Sequence, residues 1–355
     1  MEAIDVKNLK FTNKGDLAKD LRDAVSFYFI ENKISPKGDW GLFSKAIFFF
    51  TGFWSLYCVI VFTQTSPVLK LILCVLSVFF ASGIGFSIMH DGSHGSFSEK
   101  KWANTLAENS ARFLGVEMLL WHTKHNIIHH TGTNINHVDD DIEAQPLLRL
   151  HPDQKLYKIH RFQNWYWPFA YSLLYFAWII KDFVKYFSQR VMGSKVQFKL
   201  WDHVLFWLTK LFFVAFFILI PIKFLGWEQW LVGFSVFGAL LGLIISTVFQ
   251  LAHIVRGLNH PVFEQVNGTE TFEHQISTTA DFSPNSWFIR LWTGGLNYQI
   301  EHHLFRKVSH VHYPAIQKIV MDCCKEYNFP MLIFPSFFSA LKSHVGKLKD
   351  LGRKP

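Results

Sequence analysis

The chain reads as an all-α integral membrane protein: four transmembrane helices in two hairpins, with interfacial helices and a histidine-rich cytosolic cap. Three observations predict that class. Half of the 355 residues are hydrophobic and 17% are aromatic, whereas only 17% are charged, against about 25% in an average soluble domain. Four apolar runs approach the roughly 20 residues that a helix needs to cross the hydrocarbon core. Histidines gather in short clusters just beyond the ends of those runs.

Residues 1–41 form a polar lead-in, with Leu17, Leu21, Val25 and Phe29 near helical period between charged positions. They mix acidic and basic side chains, without the pattern of a cleavable signal peptide. Apolar runs over 43–63 and 67–89 follow, and the short link between them predicts a hairpin. Residues 102–120 alternate apolar and polar positions and predict an interfacial helix. A second interfacial helix is predicted over 165–180, where Trp and Tyr are dense. The second hairpin covers 204–223 and 228–251, so that 42–330 forms one membrane unit and 331–355 a basic tail. Four crossings put both termini and the long polar segments on one side. Those segments are rich in Lys and Arg and the hairpin links are not, so that side is cytoplasmic.

The formal charge is +8. Beside such apolar runs it points to anionic lipid or an acidic protein partner, and not to nucleic acid. Cys58 and Cys74 lie in apolar runs, Cys323 and Cys324 are adjacent, and no CxxC pair occurs. A disulfide framework and a thiolate zinc site are both disfavoured.

The clusters are His90 and His94 (i, i+4), His125, His129 and His130 (i, i+4, i+5), His253 at the end of the fourth run, and His302 with His303. On an α-helix His125 and His129 share a face, with His130 about 100° round. A catalytic zinc takes three protein ligands and a structural one four, so eight histidines exceed one ion. They suit two metals with open positions, and an all-nitrogen set favours iron over magnesium or calcium. Gln299 stands one helical turn before His302 and is a further candidate. A transporter would place ionisable ligands inside the membrane runs. Here they gather beyond the ends on one side.

The segments HDGSH (90–94), HNIIHH (125–130) and QIEHH (299–303), separated by two hairpins, resemble the three histidine boxes of the integral-membrane fatty acid desaturases. The resemblance spans roughly residues 40–330. It includes Asn134 with Asp139–Ile142, His274–Gln275 with Thr278–Thr279, and Gly294–Asn297. Gln299 at the head of the third box resembles the front-end and acyl-CoA branch. The resemblance implies a non-haem di-iron centre held by His90, His94, His125, His129, His130, His253, His302 and His303. It implies O₂ as co-substrate and a long-chain acyl-CoA or acyl-lipid as substrate. The two electrons come from an external donor, cytochrome b5 or ferredoxin, since the chain shows no fused His-Pro-Gly-Gly haem domain. Arg306 departs from the proline usual after the third box and is expected to alter the loop or a headgroup contact.

Asp91, Asp139, Asp140, Asp141 and Glu301 flank the boxes and are candidates to orient ligand imidazoles, as is His274. The interfacial helices are expected to roof an apolar acyl tunnel, with Gly83 and Gly85 as sites of close approach. Arg112, Arg149, Lys155, Arg161 and Arg256 are candidates for a phosphate-bearing headgroup, though such residues commonly just flank a membrane. A hydroxylase on the same scaffold is the alternative reaction, because the first C–H abstraction is shared. A bacterial inner membrane is the expected location, and an endoplasmic reticulum membrane would give the same pattern.

Overall fold

A computed structural model describes residues 3–353. Among these residues four helices are long and apolar enough to cross a membrane: α2 (Trp40–Phe62), α3 (Pro67–Ser93), α8 (Leu200–Leu225) and α9 (Trp227–His253). Asp39 caps α2 by accepting from the Leu42 N–H, and Ser66 caps α3, with Pro67 at its first position. The hairpin links are thus written in local capping chemistry. α2 packs on α3, and α9 packs on α3 across the hairpins. Phe49, Phe53, Val78, Ala81, Phe213, Phe217 and Phe237 fill the space between. Lipid is as apolar as these side chains, so it is close packing that holds the helices together.

Two membrane helices run further than their apolar stretches predicted. α3 continues through the first histidine box, by way of a π-helical segment Ile84–Met89. α8 starts at Leu200, where Asp202 accepts from the Lys199 N–H. The α3 extension is polar, and that of α8 begins with Leu200 and Trp201 mixed with Asp202 and His203, neither of which hydropathy alone counts as a membrane helix.

The interfacial elements also differ from the expectation. The stretch 102–120 is not one helix: α4 (Lys101–Asn109) gives way to a 3₁₀ turn that ends at Gly115, φ +87°. That left-handed conformation suits glycine and reverses the chain. α5 then starts at Met118–His122 and continues as the π-helical Thr123–His129, which carries the second box. The second predicted element is two segments, α6 (Gln163–Ser172) and α7 (Leu174–Ser188). Trp165, Phe169, Ile180, Val184 and Phe187 face outward from them, as an interfacial surface requires. Inward, a Cβ at Gly242 of α9 would lie 2.9 Å from the Tyr171 carbonyl, so the glycine lets α6 and α9 touch backbone to backbone.

The cap is built from the rest of the chain. α1 (Asp16–Glu31) lays Leu17, Leu21 and Val25 on α12 (Tyr313–Glu326). α10 (Thr271–Thr278) packs on α11 (Gln299–Leu304), the helix of the third box. The stretch expected as a tail contains α13 (Phe337–Leu351), whose buried Leu348 and Leu351 join a core with Ile142, Leu150 and Ile254. His344 anchors it, bonding the Tyr171 hydroxyl and the Ile254 carbonyl. The basic residues had masked a two-sided helix.

Candidate metal centre

The histidine clusters converge. α3 delivers His90 and His94, α5 delivers His125, His129 and His130, α9 ends on His253, and α11 carries His302 and His303; all eight are buried. One group of ring nitrogens within 4.8 Å of each other comprises His90, His94, His125 and His302. A second comprises His129, His253 and His303, and His130 groups with His302 and His303. Nε2 of His90 lies 3.0 Å from Nε2 of His125, which lies 3.3 Å from Nε2 of His130. With metal–nitrogen bonds near 2.0–2.1 Å, nitrogens sharing one ion sit about 3 Å apart.

The π-helical turn corrects the expected geometry of the second box. His130 does not sit a third of a turn away from His125. Its N–H bonds the His125 carbonyl, an i→i+5 link, and the two rings come within 4.7 Å. A π turn is wider than an α turn, so residues five apart align and all three imidazoles reach one space.

Burial pushes the pKa values of His94, His125, His130, His302 and His303 well below the ordinary histidine range, and neighbouring imidazoles add to this. These rings are therefore neutral and offer a lone pair. Hydrogen bonds select which nitrogen does so. His303 donates from Nδ1 to Oε1 of Gln275 (2.7 Å), and Nδ1 of His302 is engaged with the Tyr313 hydroxyl (3.1 Å). Each has a buried Nε2 with no hydrogen-bond partner, as does His94. Buried polar atoms without partners are costly, and a bound cation is what would satisfy these. The donor set fits a metal.

His129 is the exception in charge. Burial opposes its cationic form, but Asp139 and Asp141 outweigh it and raise its pKa. Asp139 accepts from Nδ1 at 3.0 Å, and Asp141 stands 3.3 Å away. A carboxylate there fixes the tautomer and makes the other nitrogen a stronger donor. Gln299 places Nε2 3.1 Å from Nε2 of His253, while its Oε1 is buried and without a partner.

Other flanking residues contact different partners. Asp91 accepts from Ser309 and His310 instead of a box histidine, and Lys45 of α2 meets the far side of the His310 ring. Asp140 pairs with Lys124 and Lys185. His274 packs on Phe11, and its Nε2 has no partner. Glu301 is buried near Asp281; burial and that second carboxyl raise its pKa. Tyr313 and Lys45 were not among the expected contributors, and Gln275 was named only as part of the resemblance, without a role. Gln275 alone had a signal, standing beside His274. Arg306 donates to the Asn126 carbonyl (2.9 Å), clamping the third box to the second.

A cavity of about 250 Å³ opens beside the cluster, lined by Lys124, Lys181 and Lys185 with Asp140, Asp141 and Glu143, and by Trp121, His125 and Phe249. It adjoins an apolar pocket of about 40 Å³ that reaches His90. Residues of α6 and α7 line the first, and Ala111, Leu114 and Val116 line the second, so both interfacial stretches do roof it. The arginines expected near a headgroup are engaged elsewhere: Arg112 with Glu117, Arg149 with backbone carbonyls and Arg256 with Asp350. Lys155 and Arg161 lie over Tyr157 and Phe162. A larger cavity, about 410 Å³, lies between the hairpins at the opposite end and touches no histidine.

Fold and site together define a multipass membrane protein whose buried histidines form a centre able to hold metal. The fatty acid desaturase family matches residues 65–335. The chain is 32% identical to the sn-1 linoleoyl-lipid 6-desaturase of Arthrospira platensis, covering 95% of this chain and 93% of that one. It is also 32% identical to the acyl-lipid (8-3)-desaturase of Physcomitrium patens, over 94% and 71% of the two chains. The sn-1 linoleoyl-lipid 6-desaturase of Synechocystis is 27% identical over 99% of both. The protein belongs to the fatty acid desaturase family, and it is an oxidoreductase of lipid metabolism.

Proposed function

We propose that the protein desaturates a long acyl chain carried on a lipid, at a di-iron centre in the cap. The observation that carries this is the convergence of eight buried histidines beside a cavity that is charged at one end and apolar at the other. His90, His94, His125 and His302 would hold one iron, and His129, His253 and His303 the other, with His130 between them and Gln299 beside His253. Iron bound there supplies the activation of O₂. Two hydrogens leave adjacent carbons, two electrons and two protons are taken up, and both oxygen atoms end as water. The electrons come from an external carrier, a cytochrome b5 or a ferredoxin.

The chain's own residues orient and enclose. Asp139 and Asp141 hold His129, Gln275 holds His303, and Tyr313 holds His302. Trp121, Phe249 and Ile245 keep water from the carbons being oxidised. Lys181 stands with Lys124 and Lys185, which pair with Asp140 and Asp141, so the polar end of the cavity is a mixed-charge, hydrogen-bonding mouth suited to a lipid's ester end. We favour acyl-lipid over acyl-CoA because the relatives are named for lipid-linked substrates. We place the cap on the cytoplasmic face, of a bacterial inner membrane in preference to the endoplasmic reticulum.

The test is expression of wild type and His129→Ala in a host of defined lipid profile, with fatty acids analysed by gas chromatography–mass spectrometry after double-bond derivatisation. A new unsaturated acid with wild type alone is expected. A new hydroxy acid in its place would overturn the reading in favour of oxygenation.

A further inference from the structure

Two glycines of α3 precede the first box, and their surroundings differ. A Cβ at Gly83 would meet the Phe49 ring at 2.4 Å, so that glycine serves helix packing. A Cβ at Gly85 would meet nothing within 4 Å. Gly85 is also the one residue between Ala81 and Ser93 with partial access, and it lines the apolar pocket beside His90. Its φ is not left-handed, so the backbone does not demand glycine here. Helix interiors disfavour glycine relative to alanine. Empty space explains what backbone geometry does not.

That space continues the larger cavity. Trp121, Trp178, Ile245 and Phe249 line both, a wall shared by the cavity that holds the charged mouth and His125 and by the pocket that holds His90 and Gly85. A chain anchored by a polar end at the mouth passes the histidines before it reaches Gly85. We propose that Gly85 is a depth gauge: the missing side chain leaves room for the methyl end, and so sets the longest acyl chain the site accepts. This rests on the acyl-chain reading of the site.

The test uses the purified full chain with Gly85→Ala and Gly85→Leu. Thermal stabilisation is measured with lysophosphatidylcholines of increasing acyl length, and product chain lengths are measured in the expression host. For wild type, affinity is expected to rise with length to a plateau. In Gly85→Leu the plateau comes at a shorter chain, with about fourfold lost for each excluded methylene, and products shift the same way. Gly85→Ala shifts both less and melts at or above the wild-type temperature without ligand. An unchanged length profile in Gly85→Leu overturns the proposal. So does equal loss at every length in Gly85→Leu while Gly85→Ala matches wild type. In a host that also expresses a cytochrome b5 and a ferredoxin with their reductases, a graded length profile in wild type without any unsaturated product would instead overturn the desaturase reading and leave the gauge standing.

Discussion

At the scale of single residues, imidazoles such as His302 and His303 have one nitrogen engaged and the other free to meet a metal. Gln275 illustrates the point. Its Oε1 accepts from His303 and its Nε2 donates to the His130 carbonyl at 3.0 Å, so one amide positions two boxes. Gln275→Leu should lower iron affinity about 10–100-fold, the usual cost of removing an orienting partner. Iron per purified protein, titrated with Fe(II), measures this. His274→Ala is the control and should keep wild-type iron, since His274 bonds no box histidine. Equal losses in both would show that the effect is general loosening of the cap. The box histidines were legible in the sequence because a candidate metal site shows as particular residue types at helical spacing. Tyr313 and Lys45 were not, because an orienting side chain need only arrive at the right atom from anywhere in the chain.

At the scale of elements, an ion pair fastens a membrane helix to an interfacial one. Lys210 of α8 reaches Asp182 of α7 at 2.6 Å and the Gly115 carbonyl at 2.8 Å. Asp182 also accepts from the Glu117 N–H, and Glu117 pairs with Arg112. Lys210 and Asp182 are both buried. Removing one partner strands the other charge, a loss of about 3–5 kcal/mol. Lys210→Met should therefore lower the melting temperature of purified protein sharply. Lys210→Met with Asp182→Leu should recover much of that loss, since an apolar pair of similar volume leaves no buried charge. If the double variant melts no higher than the single, the stranded charge is not the cause. Membrane runs were easy to read because hydropathy is local. The break at Gly115 and the length of α13 were harder, since a glycine turn and a basic amphipathic helix look alike with or without a partner to pack on.

At the scale of the whole molecule, four apolar helices return the chain twice to one end, where the cap assembles. With both hairpin links at the far end, Gln64 and Ser35 should lie on opposite faces of the membrane. In a background lacking Cys58, Cys74, Cys323 and Cys324, Gln64→Cys should react with an impermeant thiol reagent added outside intact cells. Ser35→Cys should react only after permeabilisation. Labelling of both from outside would contradict the topology, and the reverse pattern would invert the cap. The cysteines are free, so their removal breaks no bridge.

The sequence by itself determined the class: apolar runs of spanning length, basic segments on one side, and histidines at helix ends that topology must bring to one face. Those are properties of composition and near-neighbour spacing, which need no fold to be read. Only the tertiary structure showed which histidines stand within reach of one another. It also showed that a π turn aligns His125 with His130, and that Gly85 borders open space while Gly83 is packed. Each of these depends on distances between residues far apart in the chain, or on a helical pitch that spacing cannot reveal. Hydrogen bonds and voids belong to the assembled molecule.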